Sequence, residues 1–225
     1  GTKRITVVGT GIGPDNIDIV LNELDALANI DFATRLPNEQ HTSLTIIRMG
    51  TCGSLQPDVP TDSFVASTYG IGLDNLLHYY QHHTPKYEQE LLNDFIYHTD
   101  LQQQVIVPYI AAGNPELLQA FHANFSHGIT VTSPGFYAPQ GRVLRAAVAF
   151  PELIDKLSTF SSSGKRITNF EMETSAIYGL GKLLGHRCIS LNTVVNNRLE
   201  KTFSKDTDAA IDRMIVQSFP IIEKL

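Results

Sequence analysis

The chain has no tryptophan, only 2 cysteines in 225 residues, and charge on just 18% of its positions. Cys52 and Cys188 lie far apart in apolar, strand-like surroundings, so they build no disulfide framework and fit a reducing compartment, the cytoplasm. No apolar run reaches the roughly 18 residues that a membrane span requires, and no basic, apolar leader opens the sequence. Basic excess is missing too: the net charge is -6, which argues against nucleic acid or an anionic membrane as the main partner. A small anionic substrate stays open, because a few local arginines suffice to hold one. What the chain does have is 42% hydrophobic residues, enough for one large domain spanning 1–225.

Strand and helix patterns alternate along that domain. Residues 4–8 (RITVV) form a β-branched run ended by Gly9, and 14–27 carry Ile17, Val20, Leu21 and Leu24 at helical spacing. The turn between them, Gly9-Thr10-Gly11-Ile12-Gly13, is not a dinucleotide fingerprint, since Pro14-Asp15 stands where its third glycine belongs. Its expected job is close backbone approach. Further strands are expected at 44–49, 62–67, 104–112, 129–132 and 188–195. Helices are expected at 114–125, 151–160, 169–185 and 206–225, with a polar, helical, His- and Tyr-rich insertion at 75–98. The alternation predicts an α/β fold: a single-domain three-layer sandwich whose central mixed, twisted sheet is flanked by helices.

Three places carry chemistry. Glu171 and Glu173 sit beside the start of the apolar stretch 169–185, where a carboxylate either caps the helix or accepts hydrogen bonds from a vicinal diol such as that of ribose. Arg48 ends an apolar strand and must face an acid or a bound anion, and Thr51 in the glycine-flanked turn expected after it supplies donors for an anion. The long loop 133–142 offers Phe136 as a stacking face, with Gln140 and Arg142 two apart. Amide and guanidinium together match the O4, N3–H and O2 edge of uracil, although an aromatic-anchored surface loop has the same composition. His78, His82 and His83 have a spacing open to metal, but the face they share is that of a solvated helix, and no metal site is assigned.

Taken in order, Arg48-Met49-Gly50-Thr51-Cys52-Gly53, Phe136 with Gln140 and Arg142, Glu171-Met172-Glu173, and Val195-Asn196-Asn197-Arg198 resemble the nucleoside phosphorylase family, on its uridine-cleaving side. The resemblance runs from Thr10 to the C-terminus. It implies phosphate binding at Arg48 and Thr51, with Cys52 and Gly53 alongside, ribose binding at Glu171, Met172 and Glu173, and pyrimidine recognition at Gln140 and Arg142. Phe136 would pack on the nucleoside and Arg198 would lie near the base. Arg48, Thr51, Arg142 and Glu173 are the expected catalytic set. Purine-preferring bacterial relatives carry an Asp after the last strand, and this chain has none there, which points to uridine. The resemblance implies no cofactor, phosphate as co-substrate, and a homo-oligomer, a dimer or a hexamer of dimers. It also implies a further N-terminal segment with phosphate-binding arginines, placed upstream of Gly1. A purine nucleoside phosphorylase, a nucleosidase of the same fold and a silent nucleoside-binding module are the alternatives.

Overall fold

The computed structural model describes residues 4–101 and 106–225. Six α-helices and ten strands follow in the order α1 (Pro14–Asn29), β1 (Ile30–Asp31), β2 (Leu36–Pro37), β3 (Thr45–Ser54), β4 (Phe64–Gly72), α2 (Lys86–Thr99), β5 (Tyr109–Ala112), α3 (Pro115–Ala120), β6 (Ser126–Thr132), α4 (Leu153–Thr159), β7 (Ser161–Ser162), β8 (Lys165–Glu171), α5 (Thr174–Leu183), β9 (Arg187–Asn197), β10 (Thr202–Phe203) and α6 (Thr207–Ile222). The main sheet is mixed, in the order β10-β9-β3-β8-β6-β4-β5, with β7 added on β8. β3 runs parallel to β9, and β6 parallel to both β4 and β8. The sheet rolls far enough for β9 to pair with β4 as well, through Phe64 with Thr193 and Ala66 with Leu191.

Helices cover both faces, each with its own apolar cluster. Ile17 and Leu21 of α1 pack with Ala176, Ile177 and Leu180 of α5. Leu91, Leu92 and Phe95 of α2 join Leu153 and Leu157 of α4 over Ile129, Val131 and Ile167 of the sheet. Leu117 of α3 and Met214 of α6 close on Ile189 and Leu191. Burial at ~2 kcal/mol per large aliphatic side chain makes these three clusters the main favourable term. Alternation along β3 follows from them: Ile46 faces α1 and α5, whereas Ile47 and Met49 face α6.

Several boundaries differ from the sequence expectation. Residues 4–8 form no strand, and Val7 is 89% exposed. β-branched composition alone makes no strand without a partner to complete the ladder. β3 continues through the expected turn as far as Ser54, with a bulge between Cys52 and Gly53. The stretch 169–185 is not one helix: β8 reaches Glu171 and α5 starts only at Thr174. The insertion is two short helices, a 3-10 turn at Leu76–Tyr79 and then α2. α3 ends at Ala120 rather than 125, and Asn124 lies in the left-handed region at φ 69. Both helix starts are capped: Asn114 accepts from the Leu117 amide, and Asp206 accepts from that of Ala209. The first two residues of the strand expected at 104–112 lie outside the described residues, and β5 occupies the rest from Tyr109.

Candidate active site

The chemistry gathers where β3, β8 and β9 meet the N-terminus of α5. Arg48 projects from β3 onto the α5 side, with its guanidinium lying over Gly50, where a Cβ would stand 2.5 Å from Arg48 Cζ. Gly50 is therefore a strand residue chosen for closeness and does not mark a turn. Nη2 of Arg48 donates to Glu173 Oε2 at 2.5 Å and lies 3.3 Å from Glu171 Oε2. Nη1 donates to Asn192 Oδ1 at 2.5 Å and to Ser190 Oγ at 3.3 Å, both on the neighbouring β9. Burial works against the Arg48 charge, but the two carboxylates outweigh it and hold the arginine more firmly protonated than usual.

The two glutamates divide their work. Glu171 ends β8 and caps α5: its Oε2 accepts from the Glu173 amide at 2.8 Å and the Thr174 amide at 2.9 Å, while Thr132 donates its hydroxyl proton to Oε1 at 2.8 Å. Burial raises its pKa above the ordinary carboxylate range, Arg48 opposes that rise and Glu173 adds to it. Glu173 stands at the N-cap and accepts from Arg48 and, at 2.7 Å, from the Gly13 amide. The glycine turn at the head of α1 thus meets Glu173 from across the chain, with Gly13 at φ 99. Met172 between the two acids is half-buried.

A second group sits on the loop that leaves β6 at Thr132. Arg142 Nη1 donates to Gln140 Oε1 and, at 2.8 Å, to the Phe136 carbonyl, and its guanidinium lies 3.9 Å above the Phe136 ring. Arg198, directly after β9, donates to the Gln140 carbonyl at 3.1 Å. Both guanidinium groups also flank the Phe170 ring, at 5.9 Å for Arg142 and 5.6 Å for Arg198. Phe170 and Glu171 are consecutive residues of β8, so this strand joins the two groups: the acid serves Arg48, the ring serves Arg142 and Arg198. Burial, then the charge of Arg198, lowers the Arg142 pKa, and burial alone lowers that of Arg198. Gln140 is buried, Phe136 is half exposed, and the Gln140 Nε2 donor has no protein partner among the described residues.

Thr51 is exposed and outside the hydrogen-bonded set. It pairs with Thr193, whose hydroxyl is aimed at Met214 on α6, so alternation places Thr51 on the face opposite Arg48. Cys52 and Gly53 are buried beneath the site, with Gly53 paired to Phe170. Burial pushes the Cys52 and Cys188 thiols up to about 12. Neither thiol should therefore react with an aromatic disulfide reagent at pH 7 until guanidinium unfolds the chain, and a fast native-state reaction would contradict that burial.

Asn192, Ser190, Thr132, Phe170 and Gly13 escaped the sequence reading. For Ser190 and Asn192 a signal existed: polar residues at alternate positions of the otherwise apolar 188–195 mark a strand with one polar face. Among the histidines, His78 Nε2 bonds the Val107 carbonyl at 3.0 Å and His82 Nδ1 the Tyr80 carbonyl at 3.2 Å. Asp25, His41 and His186 do lie together. The Leu44 amide donates to His186 Nδ1 at 3.2 Å, so the proton of neutral His186 sits on Nε2, 3.3 Å from Asp25 Oδ1. No helix among the described residues is long and apolar enough to cross a membrane.

A polar strand face thus presents arginine and acids beside the N-terminus of a buried helix, within a rolled mixed sheet. The chain belongs to the phosphorylase superfamily, whose family model matches residues 1–219. DeoD-type purine nucleoside phosphorylases from Bacillus cereus and Bacillus thuringiensis (strain Al Hakam) are each 27% identical over 219 residues, 95% of this chain and 73% of theirs. The crystal structure of a Trypanosoma brucei nucleoside phosphorylase, described as showing uridine phosphorylase activity, is similar with a TM-score of 0.84 at 29% identity, covering 96% of this chain and 79% of that one.

Proposed function

We propose that the protein catalyses the reversible phosphorolysis of uridine to uracil and ribose 1-phosphate. The observation that supports this reading is the Gln140 and Arg142 pair, braced by Arg198 and linked to the Arg48 and Glu173 pair through the consecutive residues Phe170 and Glu171 of β8. A free amide donor and two guanidinium groups suit a base that leaves as an anion on its carbonyl oxygens. In the forward step a phosphate oxygen forms a bond to ribose C1′ as the C1′–N1 bond breaks, and the electron pair passes into the uracil ring. The uracil anion then takes up a proton from solvent. Arg48 holds the phosphate, Glu173 turns to the 2′ and 3′ hydroxyls, and Gln140 with Arg142 steadies the departing base. Phosphate and Glu173 compete for the same guanidinium, so binding of phosphate frees the acid for the sugar.

The DeoD-type relatives support a second reading, a purine nucleoside as substrate. Assays of uridine and inosine, each with and without phosphate, separate the cases. Phosphate-dependent uracil release is the expected result. Inosine cleavage alone would move the assignment to purines, and cleavage indifferent to phosphate would make the protein a hydrolase.

A further inference from the structure

Behind the first turn of α5, away from Arg48, lies a second buried polar group. Asp74 follows β4 and accepts from the Leu76 amide at 2.9 Å. Tyr109 of β5 points its hydroxyl at both Asp74 oxygens, at 2.9 and 3.1 Å, and lies 2.9 Å from Ser175 Oγ, which also reaches Asp74 Oδ2 at 3.3 Å. Tyr109 is 1% exposed and Ser175 is fully buried. The packing that allows this is tight. A Cβ on Gly72 would stand 2.3 Å from the Tyr109 ring, and one on Gly70 2.7 Å from Ser175 Cα. Two glycines of β4 therefore let the tyrosine and the helix start lie directly on the strand.

We propose that Asp74 is a positioning residue for sugar recognition: through Tyr109 and Ser175 it fixes the first turn of α5, and so sets where Glu173 meets the ribose hydroxyls. The proposal rests on the nucleoside reading above. Ser175 lies two residues beyond Glu173, and its amide donates to Thr132 Oγ1 at 2.9 Å. Thr132 in turn donates to Glu171, which holds the Glu173 amide. Hydrogen bonds thus tie Asp74 to the Ser175 side chain, and a second set that starts at the Ser175 amide reaches the peptide that carries Glu173. The direction of the first set is fixed by Asp74, which only accepts while ionised, so Tyr109 gives its single proton to Asp74 and the Ser175 hydroxyl donates in its turn. An apolar residue would fill this space without a buried charge to satisfy, which is why the group reads as orientation rather than packing.

Asp74→Asn keeps the shape and inserts an N–H2 donor where an acceptor stood, against the hydroxyls of Tyr109 and Ser175. Tyr109→Phe keeps the ring and leaves Ser175 only its longer 3.3 Å contact to Asp74. If Asp74 acts on the sugar clamp, both variants lose about tenfold in kcat/KM for a ribonucleoside, within the ~100-fold that a 1 Å misplacement costs, mostly through KM. The 2′-deoxynucleoside of the same base, which offers Glu173 one hydroxyl fewer, loses about twofold or less. Calorimetric dissociation constants for the two nucleosides give the same comparison without turnover. Equal losses on both substrates, or none, in variants that melt within a few degrees of wild type would overturn the proposal. Wild-type protein that cleaves uridine while Asp74→Asn leaves ribose selectivity intact defeats this inference alone. Wild-type protein that neither binds nor cleaves any ribonucleoside defeats both readings.

Discussion

Arg48→Ala should abolish phosphorolysis and also cost the fold ~3–5 kcal/mol, the range for breaking a buried ion pair by removing one partner. The side chains involved are 13% exposed for Arg48, 2% for Glu171 and 8% for Glu173, so the two acids would be stranded with little water to serve them. Glu171 suffers most, since burial already raises its pKa and the arginine is what opposes the rise. For a chain of this length the loss is a drop in Tm on the order of 10 °C. Adding Glu173→Gln should return part of the stability and none of the activity. Circular-dichroism melting with phosphate-dependent uracil release measures both effects. A Tm within 2 °C of wild type would show that the arginine is dispensable to the fold, and retained turnover would remove it from the phosphate site.

The second large effect should divide activity from stability. Arg142 is half-buried on a loop, stacked on the half-exposed Phe136, and holds only Gln140 and a backbone carbonyl. Its truncation should change stability by less than ~0.5–1 kcal/mol, as for most surface sites. A preorganised donor aimed at a departing anion is worth about 3 kcal/mol of barrier, so kcat/KM for uridine should fall roughly 100-fold in Arg142→Ala. The loss should fall on kcat as well as KM, because the charge it meets develops only as the bond breaks. Uridine kinetics that do not change would take Arg142 out of the site. A loss confined to inosine would instead favour the purine reading.

The sequence made the frame of this molecule legible and its junctions less so. Helices α1 and α6 were readable because their apolar periodicity is long and their ends carry Pro14 or Asp206. The strand reaching Glu171 was not, since Asn169, Glu171 and the apolar residues after them fit a helical face as well as a sheet. The same boundary governs the site. Glu171 was expected to cap or to bind sugar, and its position at a strand end makes it the cap of α5. Arg48 betrayed itself as a charge in an apolar strand, and its acid partners lie 123 and 125 residues onward, a pairing that only the sheet order reveals. Thr51 was read together with Arg48 from a turn expected after the strand, whereas β3 continues through it and period-two alternation sets the two residues on opposite faces.

The separation of Arg48 from Glu173 by 125 residues also has a consequence for synthesis. At about 5–20 residues per second, a ribosome has the arginine waiting on the order of ten seconds before its acids are made. β9, which supplies Asn192 to Arg48 and also pairs with β4, is translated later still. Until then the nascent chain holds β3 and β4 without the strand that lies beside both, and an early chaperone encounter should fall in that interval.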